Sequence, residues 1–233
     1  MTYVMSDLHG RYEQYRRMLE TIGFSDEDEL YILGDVVDRG PRPIEILTDM
    51  SMRANVYPIL GNHDYVAAYL LGRLSAEITE ENAETHLTGE DLSALAGWLT
   101  DGGETTLAGF RRLTPEAREG ILEYLEEFTP YEELTVGGQR FVLVHSGLPD
   151  FHPARPLWDY DPRELITAPT DYTRRYFPDC YLVTGHVPTG LIEPGYGGRI
   201  WQGNGHIALD CGNGHGGVLG CLRLEDMAEF YEE

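Results

Sequence analysis

Short polar clusters, each placed directly after a short apolar run, constrain this chain more than any other feature. Asp7-Leu8-His9-Gly10 follows the run Thr2 to Met5, and the cluster Gly34-Asp35-Val36-Val37-Asp38-Arg39-Gly40 follows Leu30 to Leu33. Gly61-Asn62-His63-Asp64 follows Val56 to Leu60, and His145-Ser146-Gly147 follows Phe141 to Val144. Apolar runs of this length bounded by turn residues read as buried strands. Loops at the carboxyl ends of strands in an open α/β sheet share one rim and form its ligand crevice, so residues far apart in the chain meet there.

The residue types at that rim suit one reaction class. Hydrolysis of a phosphate ester at neutral pH needs a strong nucleophile and positive charge on the transferred group, and two divalent ions about 3.5–4 Å apart provide both. A bridging ligand is required, and Asp35 can give one carboxylate oxygen to each ion. Asp7 and His9, two apart on an extended segment, reach out as a pair and with Asp35 make a first site. Asn62, His145 and His186, the last in Val183-Thr184-Gly185-His186, complete a second. The mixed nitrogen and oxygen set suits manganese, iron or zinc over calcium, and manganese is the leading expectation among them.

Taken in order, these motifs resemble the PPP-type calcineurin-like metallophosphoesterases, which include serine/threonine protein phosphatases and the symmetrical diadenosine tetraphosphate hydrolases. The resemblance covers nearly the whole chain. It extends to Gly102-Gly103-Glu104-Thr105-Thr106 and Asp210-Cys211-Gly212, as in compact bacterial phosphatases. It implies an α/β fold of two packed mixed β-sheets flanked by helices, with Asp7, His9, Asp35, Asn62, His145 and His186 as metal ligands. It further implies His63 as the general acid, Asp38 as its orienting partner and Arg39 as a phosphate-binding fork. The leading expectation is a phosphomonoesterase acting on phosphoserine or phosphothreonine, and on phosphotyrosine as a further substrate. Attack by water activated between the metals leaves no phosphoenzyme. A dinucleoside polyphosphate hydrolase and a low-activity phosphate-binding protein are the alternatives. The expected partners are accordingly a phosphoprotein, a phosphopeptide or a small phosphoester.

One departure stands out. Enzymes of this type usually carry a second phosphate-binding arginine before the final glycine-histidine motif, and Thr167-Ala168-Pro169 occupies the corresponding stretch. Arg163, Arg174 and Arg175 are the candidates to replace it.

Composition narrows the choice of chemistry and partners. All 17 basic residues are arginine, so a Schiff-base mechanism and a Walker-type lysine are excluded. With 40 acidic residues and a formal charge of -23, the surface repels nucleic acid and acidic membranes. No apolar run approaches the ~18 residues of a membrane span, and a motif beginning at Asp7 leaves no room for a cleavable leader. Cys180, Cys211 and Cys221 are odd in number and form no C-x-x-C pair, which fits a reducing compartment and a cytoplasmic protein.

The first half alternates strand and helix, with helices expected from Arg11 to Gly23 and from Ile44 to Met52. From about Tyr65 to Pro130 the pattern is helical, with starts at Thr88-Gly89-Glu90 and Leu113-Thr114-Pro115-Glu116. This stretch reads as an insert capping the crevice within one domain spanning 1–233. The final third reads as antiparallel strands at Cys180 to Thr184, Arg199 to Trp201, His206 to Leu209 and Val218 to Leu224. His206 and His215 lie near His186 in the chain without a motif of their own, and the glycine-rich stretch around His215 reads as a hairpin. Trp158 and Tyr160 read as packing, and His86 and His152 have no partner in the pattern.

Overall fold

Three of the four apolar runs become strands buried on both faces, and the fourth, Val56 to Leu60, forms an edge strand with Tyr57 exposed. In the computed structural model, which describes residues 1–79, 82 and 86–233, the first sheet contains β1 (Thr2–Met5), β2 (Glu29–Leu33) and β3 (Val56–Ile59). The second contains β4 (Tyr131–Val136), β5 (Gln139–Val144), β6 (Cys180–Thr184), β7 (Trp201–Gly203) and β8 (His206–Ala208). The last strands, β9 (Leu219–Arg223) and β10 (Ala228–Glu232), return to the first sheet. The orders are β10-β9-β1-β2-β3 and β4-β5-β6-β8-β7.

Side-chain alternation divides the core into layers. On β1, Tyr3 and Met5 face the helices on the outside of the first sheet, while Val4 joins Phe141, Leu143, Val183 and Ile207 between the sheets. On β5 the neighbouring Val142 and Val144 turn outward to meet Leu157, Leu165 and Tyr176. Strands covered on both sides read as continuous apolar runs, which is what the sequence displays.

Helices α1 (Tyr12–Thr21) and α2 (Pro43–Ser51) cover the first sheet together with α3 (Asn62–Ser75), α4 (Gly89–Trp98), α5 (Glu104–Arg111) and α6 (Pro115–Glu126). The expected caps form: the Thr88 hydroxyl accepts from Asp91 N at 3.1 Å and the Thr114 hydroxyl from Ala117 N at 3.3 Å. The insert expected at about 65–130 includes residues 80, 81 and 83–85, which lie outside the described residues. Its helices share the core of β1 and β2 through Leu70, Leu71, Trp98, Phe110, Ile121 and Leu125. The first of them begins at Asn62, three residues earlier than expected, so Asn62 and His63 ride on a helix anchored in that core.

The final third is antiparallel only in part, where antiparallel pairing throughout was expected. β6 runs parallel to both β5 and β8, and antiparallel pairing is confined to β7 with β8, β4 with β5, and β9 with β1 and β10. The segment between β5 and β6 is long and includes α7 (Pro162–Thr167). It crosses over the sheet, and a crossover delivers a parallel strand. Helix α8 (Thr189–Ile192) lies in the equivalent connection from β6 to β8. These parallel pairs, with β1-β2 and β2-β3, aim the carboxyl ends of six strands at one place. Among the described residues, no helix is long and apolar enough to cross a membrane. Cys180, Cys211 and Cys221 are buried free thiols.

Candidate metal centre

The residues nominated from sequence sit where the strands end, and the backbone there is strained. Nine non-glycine residues among those described have positive φ, and six of them are Asp7, His9, Asp35, Asp38, Arg39 and His186. Such residues cost roughly 1–3 kcal/mol each and persist only where surrounding structure holds them. The holding contacts are visible. Asp7 N donates to Gly34 O at 3.1 Å, and His9 N donates to Asp35 O at 2.8 Å. Asp64, fully buried, accepts from Val36 N at 3.0 Å, Val37 N at 3.3 Å and Gly61 N at 3.1 Å.

Asp35 is the centre of the cluster. Ligand atoms of Asp35, His145 and His186 lie within 4.8 Å of one another, and so do those of His9, Asp35 and His63. His145 Nδ1 lies 2.6 Å from Leu33 O and His9 Nδ1 lies 3.0 Å from Val37 O. A carbonyl only accepts, so both histidines carry their proton on Nδ1 and turn Nε2 inward, the arrangement typical of metal-ligating imidazoles. His145 Nε2 then faces Asn62 Oδ1 at 3.0 Å, His186 Nδ1 at 3.2 Å and Asp35 Oδ1 at 3.4 Å. Acceptors converging in this way require a positive charge among them, and the set fits a borderline divalent cation. The Asp35 carboxylate draws positive charge to this point: burial alone would lower His145, yet the Asp35 charge and hydrogen bond hold it up at about 10. Burial pushes His9 down to about 3, and burial with the neighbouring His145 pushes His186 down to about 4.

Asp7 belongs to neither donor cluster. Its Oδ2 accepts from the Ser6 hydroxyl and from His186 N, the latter at 3.0 Å. Burial and the neighbouring Asp210 carboxylate hold Asp7 well above the usual carboxylate range.

His63 and Arg39 form the opposite wall. His63 Nδ1 donates to Asp38 Oδ2 at 2.7 Å. Burial works against charge on His63, but the Asp38 hydrogen bond and the charges of Asp35 and Asp38 outweigh it and raise the group above its ordinary value. The Arg39 fork spans two rings, with Nη1 3.0 Å from His9 Nε2 and Nη2 3.0 Å from His63 Nε2. Nη2 also donates to Asp101 Oδ1 at 3.1 Å.

Several contributors were not nominated from sequence. Trp98, Asp101 and Thr106 come from the helical insert, and only tertiary packing brings them to Asp38 and Arg39. Asn213 Nδ2 donates to Asp7 O at 3.0 Å and Leu8 O at 2.9 Å, which ties the glycine-rich stretch to the first motif. A Cβ on Gly214 would lie 2.2 Å from His9 Cδ2, so this stretch, expected to be a hairpin, lines the site. His215 itself is exposed, and His206 is buried under Tyr172 with Nε2 on the Thr184 hydroxyl at 2.9 Å. Trp158 is exposed, and Tyr160 is buried beneath Arg155.

The candidate replacement arginines are engaged elsewhere. Arg163 pairs with Asp161 at 2.6 Å, Arg174 donates to Phe151 O at 3.2 Å, and Arg175 donates to Phe177 O at 3.0 Å. In the stretch where an arginine was expected, Ala168 O accepts from the Ser146 hydroxyl at 2.6 Å and Thr170 Oγ1 donates to Ser146 O at 2.8 Å. That segment braces the loop after His145.

Histidines, carboxylates and an arginine fork thus converge at the ends of two mixed sheets. The profile of the calcineurin-like phosphoesterase family matches residues 2–209, and the chain is a member of that family. Its relatives include the asymmetrical bis(5'-nucleosyl)-tetraphosphatase of Geobacillus thermodenitrificans, 26% identical over 96% of this chain and 90% of that one. The symmetrical bis(5'-nucleosyl)-tetraphosphatase of Shewanella loihica is 32% identical over 68% of this chain. The chain spans 46% of the length of that enzyme and 36% of the similar Buchnera aphidicola enzyme. Among solved structures, a protein described provisionally as a diadenosine tetraphosphatase superposes with a TM-score of 0.65 at 18% identity, covering 99% of this chain and 92% of that one. A serine/threonine phosphatase of Saccharomyces cerevisiae superposes with a TM-score of 0.58 at 13% identity, over 99% of this chain and 78% of that one. These likenesses carry the fold.

Proposed function

We propose that the protein hydrolyses dinucleoside polyphosphates of the diadenosine tetraphosphate type, with two divalent metal ions held by Asp7, His9, Asp35, Asn62, His145 and His186. The observation that carries this reading is the convergence of His9, His63, His145 and His186 on the single carboxylate of Asp35. When bound, the ions supply an activated water and neutralise charge on the phosphoryl group. The protein groups do the rest. Arg39, whose fork now spans His9 and His63, turns its planar donors to two phosphoryl oxygens, a geometry lysine cannot reproduce. Once Arg39 has moved to the phosphate, His63 Nε2 is free to hold a proton for the leaving oxygen, while Nδ1 stays on Asp38. Of the two enzyme expectations, the polyphosphate one has the support of named relatives. The phosphomonoester one rests on a shared fold.

The test is hydrolysis by metal-stripped protein resupplied with manganese, on diadenosine tetraphosphate and p-nitrophenyl phosphate in parallel, with Asp35→Asn as control. The expected result is metal-dependent cleavage of the dinucleotide that disappears in Asp35→Asn, with the nucleotide products separating symmetrical from asymmetrical cleavage. Preferential turnover of the monoester would move the assignment to a phosphomonoesterase. Stoichiometric metal without turnover of either substrate would make the protein a phosphate-binding module.

A further inference from the structure

Among the described residues, the stretch 98–106 of the helical insert reaches the Asp38 and Arg39 loop. Helix α4 ends at Trp98, a π-turn covers Leu99–Gly103, and α5 begins at Glu104. Trp98 Nε1 donates to Asp38 Oδ2 at 2.8 Å, the oxygen that also accepts from His63. The Thr106 hydroxyl donates to Asp38 Oδ1 at 2.6 Å and accepts from Asp38 N at 2.9 Å. The carboxylate thus has both oxygens engaged and no freedom to rotate, and Asp38, Trp98, Thr106 and His63 are all buried.

The turn between them is built for close approach. Gly102 has φ 102°, its carbonyl accepts from Arg39 N at 3.0 Å, and a Cβ there would lie 2.8 Å from that same nitrogen. A Cβ on Gly103 would lie 2.4 Å from the Trp98 ring. Two glycines therefore let the indole and the hydroxyl reach one carboxylate from either side of the turn.

We propose that Trp98 and Thr106 are positioning residues that set the Asp38 carboxylate, and through it the orientation of His63. This rests on the reading of His63 as the acid that protonates the leaving group. The dyad would then be assembled across an insertion: Asp38 comes from the loop after β2 and His63 from the first turn of α3, and the groups that orient Asp38 come from α4 and α5.

The experiment compares Thr106→Val, Thr106→Ser and Trp98→Phe with His63→Ala. Zinc-loaded protein is used, because zinc has no unpaired electrons to obscure a proton spectrum. The first readout is the downfield resonance of the His63 Nδ1 proton, which needs no turnover. It is expected in the unmodified protein and in Thr106→Ser, and shifted or lost in Thr106→Val and Trp98→Phe. The second is kcat on phenyl phosphate, whose leaving group needs a proton, against p-nitrophenyl phosphate, whose leaving group departs readily as an anion. General acid catalysis contributes about 10²–10⁴-fold. Thr106→Val and Trp98→Phe should lose at least about tenfold more on the phenyl ester, in the direction of His63→Ala, with Thr106→Ser recovering most of the loss. An unmoved resonance in a folded Thr106→Val and Trp98→Phe overturns the proposal, and so does an equal loss on both esters. If His63→Ala itself shows no preference between the esters, the acid assignment fails, while the resonance still reports whether Trp98 and Thr106 orient the pair.

Discussion

Gly61→Ala is a sharp perturbation of the Asp35 loop, because the backbone at Gly61 would accept alanine and only space forbids it. Gly61 has φ -102° and ψ 166°, an extended conformation open to any residue. A Cβ there would lie 2.2 Å from Asp35 N, 2.3 Å from Asp35 Oδ1 and 2.9 Å from Asp64 Oδ2. The Asp35 loop and the start of α3 must separate by about 1 Å to reach ordinary contact. Overpacking of this kind costs about 1–3 kcal/mol. For a chain of this size that is a fall in Tm of roughly 2–12 °C. The functional loss should be larger than the stability loss, since a displacement of about 1 Å at a reacting centre can cost about 10²-fold. Thermal unfolding, metal stoichiometry after manganese loading, and turnover are measured on the same preparation. Gly120→Ala on the exposed face of α6, where a Cβ meets nothing within 4 Å, serves as the control and should be neutral or slightly stabilising. A folded Gly61→Ala protein with full metal content and normal turnover would refute the placement of Asp35 against α3.

Three further outcomes are expected. His206 is fully buried and pushed down to about 3 by burial, so between that value and about 6.5 the unfolded chain binds a proton the folded one does not. Stability is therefore lost as pH falls, and His206→Phe should lose about 2 kcal/mol less than the parent between pH 7 and pH 5; identical slopes in pH-dependent denaturation would contradict this. Asp101, 61% exposed, lies on Arg39 Nη2 at 3.1 Å and 3.5 Å from His63 Nε2, where it competes with a phosphoryl group. An exposed pair is worth about 0.2–1 kcal/mol, so Asp101→Asn should tighten inhibition by inorganic phosphate by up to about fivefold, and an unchanged inhibition constant would count against the contact. The formal charge of -23 implies self-repulsion that salt screens. Raising potassium chloride from about 0.01 to 1 M, which shortens the Debye length from about 30 to 3 Å, should raise Tm, and a flat or falling curve would show that the carboxylates are compensated locally.

The parts of the site that lie within a few residues of a strand end were legible in the sequence. Asp7, His9, Asp35, Asn62, His145 and His186 each follow an apolar run, and burial of both sheet faces makes such runs unambiguous. Strand direction was less legible. β6 was read as antiparallel because glycine-rich turns surround it, whereas the crossover containing α7 delivers it parallel to β5. Strand β10 was not anticipated at all: Ala228 to Glu232 is only partly buried and carries no continuous apolar run. The role of Asn213 was hidden in the same way, since a glycine-rich stretch has the same local signal whether it closes a hairpin or lines a site.

By itself the sequence placed the chain among the phosphoesterases, because residue type and placement at strand ends are both local properties of the chain. That no lysine serves as a phosphate-binding cation follows from the sequence too. Tertiary structure alone decided which oxygen of Asp38 meets His63, which insert residues hold it, and that Arg163, Arg174 and Arg175 are occupied away from the site. Those contacts join residues far apart in the chain, at distances that depend on how the helical insert packs against the first sheet. No periodicity or motif encodes a packing distance, so these contacts emerge only when the core closes.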